Sequence, residues 1–368
     1  MNPSTASSFR FSPNHARRTF KLFAISGLSI GAAAVNAQST VSISGAIDTG
    51  LAYVTTDQSS RFQTANGSIA ASSLAFSGKE DLGGGYYAAF MLRSLFVSST
   101  GAISGTKFFG SESKVGLGGP FGQVELGRLF SPTHQTLVFK SPSQSNFAGA
   151  FNLAIGAPGA FNAATAGYSP YWDNSVRYTS PAFGGVNVLV QRSTGILDPE
   201  PQAPNKKNGI GTALGMNFDN GPISLSGVLE KVSTQALPAT DYSVTRGTLM
   251  GTYDFGFTKA HAGYINEKYT GSGRPLGFNL MIFGASVPLT PVFKVSVEYG
   301  QKRFENAAGK ANFVGLGAFY SLSKRTTLFT EVTDIGNHGV ARQAVYRGLP
   351  TLAGKDTTGY AIGMRHSF

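Results

Sequence analysis

The last ten residues alternate between apolar and small or polar side chains and end on a phenylalanine. If they form a β-strand, one face carries Tyr360, Ile362, Met364, His366 and Phe368. Arg365 and Ser367 then lie on the opposite face. Such a strand suits a sheet whose apolar face is buried in a protein core, or one whose apolar face contacts lipid.

The N-terminal segment predicts export. Residues 1–21 contain four basic side chains, Arg10, Arg17, Arg18 and Lys21, and no acidic one. An apolar stretch at 22–35 follows, and Val35 and Ala37 are small residues in the spacing of a cleavage site. We therefore expect a signal peptide at 1–37 and a mature domain at 38–368; the alternative is a short N-terminal helix of the mature protein.

Composition narrows the classes of fold. No later segment is apolar over the ~20 residues that a membrane helix needs, so entry into a membrane would require a closed β-barrel. The chain has no cysteine, which excludes disulfides and thiolate metal sites. Its 47 glycines and 28 phenylalanines suit strands with lipid on one side and water on the other. The basic residues are scattered rather than clustered, which argues against nucleic-acid binding.

Turn signals divide the chain regularly. Seven short connections are marked mainly by glycine or proline: 83–85, 118–122, 181–184, 219–222, 254–257, 288–291 and 321–325. Eight longer polar segments alternate with them: 56–67, 98–107, 130–172, 193–209, 233–240, 270–278, 305–311 and 335–356. With both termini on the side of the short turns, this pattern predicts a 16-stranded antiparallel transmembrane β-barrel, all-β in class.

The same alternation indicates which face of each strand is wet. Residues 41–53 place Val41, Ile43 and Leu51 on one face and Asp48 on the other. By the same parity, further charged side chains point away from the apolar face: Arg93, Arg177, Lys294, Glu298, Lys302 and Arg365. Charges on the second face predict a water-filled interior.

Several segments resemble the general porins of β-proteobacteria, members of the Gram-negative porin family. They are residues 45–53, 76–85, 115–128, 173–181, 320–325 and 363–368. They follow one another in the same order over essentially the whole mature chain. The resemblance implies an outer-membrane channel for passive diffusion of small hydrophilic solutes and ions, without a cofactor.

The resemblance also implies a homotrimer and a third loop that folds into the barrel to narrow it. It makes Phe368 an assembly signal, and it implies the lipid bilayer, lipopolysaccharide and the outer-membrane assembly machinery as partners. Relatives commonly carry arginines opposite the third loop, where this chain has Ser73, Ser111 and Tyr171. Around residues 108–117, hydrophobic parity and the family pattern disagree about which side chains face inward.

The third loop, residues 131–172, contains no Asp or Glu and one lysine or arginine, Lys140. Its aromatic side chains allow two interpretations. In one, residues 147–166 pack the loop against the wall. In the other, Tyr168, Tyr171 and Trp172 line a constriction suited to neutral or aromatic solutes.

The predicted wall charges, with Asp48, Glu230 and Glu298 as the acids, favour a weak anion preference unless they are paired neighbours. We therefore expect the channel to be lined by Asp48, Ser73, Arg93, Lys140, Tyr168, Tyr171, Arg177, Lys294, Glu298, Lys302 and Arg365.

Signals for catalysis are weak. The mature histidines are spread without a metal-binding spacing, and no Gly-x-Ser-x-Gly turn or phosphate-binding loop occurs. We therefore expect no catalytic, metal or cofactor site. An outer-membrane barrel that acts as an adhesin or as an enzyme at its rim is the main alternative, and a soluble secreted β-protein is a more distant one.

Overall fold

A computed structural model gives the structure of the chain. It describes residues 40–141, 147–150, 152–155, 169–196, 209–237, 240–271, 277–305, 308–345 and 351–368. The predicted signal peptide at 1–37 lies outside these residues, as does Tyr168. No helix among the described residues is both long and apolar enough to cross a membrane.

The described residues form seventeen strands and two helices. The first nine strands are β1 (Thr40–Thr55), β2 (Ser60–Asn66), β3 (Ser73–Gly83), β4 (Tyr86–Leu95), β5 (Glu112–Gly119), β6 (Gly122–Phe130), β7 (Tyr171–Thr179), β8 (Val186–Ser193) and β9 (Ile210–Asn220). The others are β10 (Ile223–Leu237), β11 (Thr240–Asp254), β12 (Lys259–Gly271), β13 (Phe278–Pro288), β14 (Phe293–Phe304), β15 (Gly309–Ser321), β16 (Thr326–Gly339) and β17 (Thr357–Ser367). Helices α1 (Pro132–Lys140) and α2 (Asn152–Ile155) lie between β6 and β7.

All strands pair antiparallel with their neighbours, and the sheet closes where β17 pairs with β1. Strands β2 and β3 share one position in this ring, because β2 pairs with Thr49–Thr55 of β1 and β3 pairs with Thr40–Ala46. The fold is therefore a closed 16-stranded antiparallel β-barrel, which confirms the predicted class and strand number. The interruption at residues 67–72 was not predicted.

The seven short turns lie where the glycine and proline signals predicted them. Several connections at the other rim are shorter than predicted because the strands extend further. Strands β10 and β11, for example, continue to Leu237 and from Thr240, inside the predicted loop at 233–240. Polar residues pair across the extended hairpin, such as Ser233 with Ser243.

The outer face of the barrel is apolar and exposed. On β17 it carries Tyr360, Ile362 and Met364, which are 43–60% exposed. Phe368 continues this row, and its backbone N–H and C=O both bond to Gly45 at the start of the ring. A side chain on Gly45 would collide with the Phe368 ring, so the aromatic terminus packs directly over the first strand. The alternation of the final ten residues is thus a lipid-facing pattern.

Candidate channel constriction

Helix α1, at the start of the predicted third loop, lies inside the barrel. Ser131 caps the helix by accepting the N–H of His134 at 3.1 Å, and Pro132 occupies the first turn, where its missing N–H costs nothing. The free N–H of Thr133 donates instead to Glu230 Oε1 on the wall, at 2.7 Å. Leu137 is fully buried on the same side. The helix therefore packs along the inner face of β9, β10 and β11.

Two charged residues of β14 hold the next part of the loop. The Glu298 carboxylate accepts the Ser141 hydroxyl at 2.7 Å and the Ala150 N–H at 2.6 Å. The Lys302 ammonium donates to the Leu153 carbonyl at 2.8 Å and lies 4.0 Å from the Phe278 ring centre. Glu298 and Lys302 do face inward as predicted, but the loop covers them, leaving 1% and 3% exposed.

The wall beneath the loop is apolar. Loop side chains share one buried cluster with inner-face residues of β11 to β16, among them Leu137, Leu153, Met250, Ile265, Leu280 and Phe313. At Gly315 a side chain would overlap the carbonyl of Ala148, so glycine is needed for the loop to approach the strand. For Ala150, Leu153 and Ala154 the cluster supports the interpretation in which residues 147–166 pack the loop against the wall; residues 151 and 156–166 lie outside the described residues.

Residues 67–72 form a second inward segment, at the break between β2 and β3. The Asp48 carboxylate accepts the N–H groups of Ser68, Ile69 and Ala70 at 2.9–3.1 Å. The segment also meets the third loop, because the Phe147 N–H donates to the Ser68 carbonyl at 2.9 Å. Asp48 faces inward as predicted, but it is fully buried and fixes this segment.

We call the remaining inner wall the throat. It consists of the inner faces of β1, β3 to β7 and β17, together with residues 67–72. Arg93 lies on it partly exposed, and it donates to Ser73 Oγ at 3.2 Å. Arg365 is also partly exposed; it donates to the Ala70 carbonyl at 3.2 Å and lies 3.7 Å from Asp48. The two guanidinium groups interact electrostatically, so they belong to one patch of positive charge.

The throat also resolves the ambiguity around residues 108–117. Glu112 pairs in register with Arg93, and Lys114 pairs with Met91, so both face inward with those residues. Lys114 lies 2.9 Å from Glu112 and 2.9 Å from Glu125. Val115 and Leu117 are exposed on the opposite face, so the strand follows the hydrophobic parity, with which the family pattern disagreed.

Arg177 faces inward as predicted but is 5% exposed. It donates to Gln191 Oε1 at 2.8 Å, to Gln135 Oε1 of α1 at 2.9 Å and to the Phe130 carbonyl. Its carboxylate neighbour, Glu125, is 3.8 Å away. Arg177 therefore connects the barrel wall to the start of the third loop by hydrogen bonds.

Tyr171 is partly buried, and Arg128 lies 5.2 Å from its ring centre. Arg128 also binds the Asp173 carboxylate, which Lys107 contacts from the other side. Sequence reasoning missed Arg128 because a bulge after Gly127 shifts the register of β6 against β7. Trp172 is 1% exposed and packs in a cluster with Ile196 and Val232, so it does not line the throat.

Two predicted cations lie apart from the throat. Lys140 binds Asp219 at 2.9 Å and contacts Ser224, beside the short turn between β9 and β10. Lys294 lies on the inner face of β14, 4.8 Å from the Phe319 ring centre. A further cation, Arg246, was not predicted; it is buried between Glu230 at 3.0 Å and Glu267 at 2.7 Å. The register of β10, β11 and β12 aligns these three residues.

The accessible charge of the throat is positive. The side chains of its acidic residues Asp48, Glu112, Glu125 and Asp173 are at most 11% exposed, whereas Asp81, at the turn end of β3, is exposed beside Lys79. In contrast, the side chains of Arg128, Lys114 and Arg365 retain 18–23% exposure, and that of Lys107, in the loop between β4 and β5, retains 40%. Because the carboxylates are withdrawn behind the surface and the cations reach the water, an ion in the throat meets mainly positive groups.

Among the described residues, no three histidine, aspartate or glutamate side chains gather as a metal site would require.

Comparisons with known proteins agree with this geometry. Residues 24–339 match the family model described as Gram-negative porin. The chain is 32% identical over 362 residues to outer membrane porin protein 32 of Delftia acidovorans, covering 94% of this chain and 99% of that protein. The solved anion-selective porin from Comamonas acidovorans superposes with a TM-score of 0.77 at 28% identity, covering 90% of this chain and all of the other. A trimer form of OmpT from Vibrio cholerae shares the fold, with a TM-score of 0.67 at 14% identity, over 90% of this chain and 99% of that one.

Proposed function

Since this chain belongs to the Gram-negative porin family, we propose that its channel passes small hydrophilic solutes and ions by passive diffusion with a weak preference for anions. The protein is an outer-membrane porin, and its barrel spans that membrane. The alternative of an adhesin or rim enzyme is not favoured, because family and fold indicate a channel.

The observation that carries the anion preference is the unequal exposure of charge in the throat. Arg93, Arg365 and Lys107 reach the water, whereas Asp48 and Asp173 are buried. The related solved structure is named an anion-selective porin, which agrees with this sign. Pairing within the throat, as between Arg128 and Asp173, keeps the expected preference weak.

The predicted lining residues divide into two groups under this proposal. Arg93, Arg365, Lys294, Lys140 and Tyr171 retain exposure and contact the permeating solution. Asp48, Arg177, Glu298 and Lys302 are buried and set the shape of the passage by holding residues 67–72 and the third loop. Ser73 is buried too and accepts a hydrogen bond from Arg93. Tyr168 stays a prediction of the sequence.

Reversal potentials across a planar bilayer test the proposal. With a tenfold KCl gradient, we expect a potential of the sign that chloride permeation produces. Its magnitude should decrease at higher salt, because the Debye length falls from about 10 Å at 0.1 M to about 3 Å at 1 M. A potential of the opposite sign at low salt would refute the anion preference, while absence of conductance would refute the channel itself.

The remaining expectations concern assembly. We propose export by the signal peptide at 1–37, assembly through the outer-membrane machinery and a homotrimer in contact with lipopolysaccharide, as the family resemblance implies. Heat-modifiable migration on a denaturing gel, combined with the mass of the unheated species, tests the trimer. N-terminal sequencing of the mature protein tests cleavage after Ala37.

A further inference from the structure

Four aromatic rings form a shelf where the third loop leaves the wall. The aromatic shelf consists of Phe130 at the end of β6, His134 and Phe139 of α1, and Tyr171 at the start of β7. Phe130 is the central ring: its centre lies 5.5 Å from His134, 5.1 Å from Tyr171 and 6.2 Å from Phe139. His134 and Tyr171 also meet edge to face at 5.9 Å. These separations lie in the favourable range for aromatic pairs.

The shelf is open on one side. Phe130 is 8% exposed and serves as its base, and His134 and Tyr171 are partly exposed. Phe139 is 59% exposed, although α1 packs against the inner wall. An exposed phenyl group within a polar channel presents apolar surface and a π-face to the passing solution.

Positive charge borders the same shelf. The Arg128 guanidinium lies 5.2 Å from the Tyr171 ring centre, and Arg93 lies on the same part of the throat, opposite Glu112 in the pairing of β4 with β5. The nearby acids, Asp173 and Glu112, are each 7% exposed. A solute on the shelf therefore meets an aromatic surface at one end and accessible cations at the other.

We propose that the aromatic shelf is a binding site for aromatic monocarboxylates that pass through the channel. The solute ring would stack against Phe139 and its neighbours, and the carboxylate would face Arg93 and Arg128. A neutral aromatic solute gains only the first contact, and an aliphatic carboxylate gains only the second. The proposal rests on the proposed function, since it names a solute class for that channel.

Benzoate block of the chloride current tests the site. Cyclohexanecarboxylate is the matched probe, because it has the same charge and nearly the same size but lacks a π-face. In single-channel recordings at neutral pH, we expect benzoate to reach half-block at a concentration about two- to tenfold lower than cyclohexanecarboxylate, as an aromatic pair contact implies. Phe139→Ala should remove most of this difference between the two probes.

Phe257→Ala provides the control variant. Phe257 is 72% exposed at the short turn between β11 and β12, so its removal deletes an exposed phenyl outside the channel. We expect this variant to retain the benzoate preference. Equal block by the two probes in the wild-type protein, or an unchanged preference in Phe139→Ala, would overturn the proposal. If the wild-type protein conducts no chloride current even before a carboxylate is added, the result would instead contradict the proposed channel function.

Discussion

Asp48 and Glu298 illustrate how a buried carboxylate on the inner face of a barrel holds an inserted segment. Asp48 accepts three backbone N–H groups of residues 68–70, and Glu298 accepts one hydroxyl and one backbone N–H of the third loop. A buried N–H without a partner is costly, so a charged acceptor directs where such a segment can lie. The carboxylates are thereby withdrawn from the solution, and the cations around them set the accessible charge.

Arg93→Gln should weaken the anion preference. Arg93 is a partly exposed cation of the throat, and one unit charge about 4 Å from an ion is worth about 1 kcal/mol in water. The chloride-to-potassium permeability ratio should therefore fall by about two- to fourfold at low salt. Arg192→Gln is the matched control, because Arg192 is exposed on the outer face of β8. Equal ratios in wild type and Arg93→Gln would show that Arg93 does not face the ion path.

Asp48→Asn should loosen residues 67–72. An amide oxygen is a weaker acceptor than a carboxylate, and its NH₂ group cannot accept a backbone N–H. We expect a loss of about 1.5–3 kcal/mol in the free energy of unfolding, measured by urea titration in lipid vesicles. Glu80→Gln changes an exposed acid near the end of β3 and should leave stability within about 0.5 kcal/mol of wild type. A stable Asp48→Asn protein would argue that the three hydrogen bonds contribute little.

At the level of elements, the strands and short turns could be predicted from the sequence, whereas the segments inserted into the barrel could not. Period-two alternation and turns such as 83–85 and 219–222 are local signals, so they located all seven short turns and the number of ring positions. The division between β2 and β3 depends on Asp48 binding residues 20 positions away. No local pattern encodes such a contact, which is why the break was not predicted.

The candidate site shows the same division. Parity predicts that Arg93, Glu298 and Arg365 share the inner face, because side-chain direction alternates along a strand. It could not tell that Glu298 lies beneath the third loop while Arg93 remains accessible. That difference depends on the path of a loop whose anchors, such as Glu298 and Thr333, come from strands more than 140 residues away in sequence.

Glu298→Gln should destabilise the position of the third loop. The Ser141 hydroxyl and the Ala150 N–H would both lose a charged acceptor, while the size of the side chain is kept. We expect more frequent current fluctuations in single-channel recordings, as the loop samples positions away from the wall.

Glu305→Gln is the control for the loss of a carboxylate, because Glu305 follows the last residue of the same strand, β14. If Glu298→Gln shows no more current fluctuations than this control and the wild type, the apolar cluster alone holds the loop.

The whole molecule combines an apolar exterior, a closed ring of backbone hydrogen bonds and a lining shaped by inserted segments. Closure pairs β17 with β1, so among the described strands β2 alone has a single strand partner. A lipid environment requires such closure because it offers no hydrogen-bond partner. The ring tolerates the inserted loop because its seat is made of inner-face residues, such as Gly315 and Phe313, that contribute little to the outer surface. Contact with lipid and contact with the permeating solution therefore depend on opposite faces of the same strands.

Deletion of Phe368 should prevent assembly. Its backbone makes two hydrogen bonds with Gly45, and its ring covers that glycine at the junction of the last and first strands. We expect the deleted protein to accumulate unfolded and sensitive to protease, as judged by the absence of a heat-modifiable band.

Phe368→Ala retains the two backbone hydrogen bonds with Gly45 but lacks the phenyl group. It therefore distinguishes the contribution of the side chain from that of backbone closure of the barrel. Assembly of this variant at wild-type levels would assign the effect to the backbone. Normal heat-modifiable protein from the deletion itself would contradict any role of Phe368 in assembly.

The two hydrogen bonds between Gly45 and Phe368 bring the first and last strands together, so the barrel does not require its chain ends to lie at this junction. A short linker could join β17 to β1, and new ends could be opened in the exposed turn at residues 321–325. Such a circular permutant would keep every strand pairing of the barrel while moving the aromatic end to the middle of the polypeptide. It would therefore separate what the cell reads at a chain terminus from what the finished barrel needs at its seam.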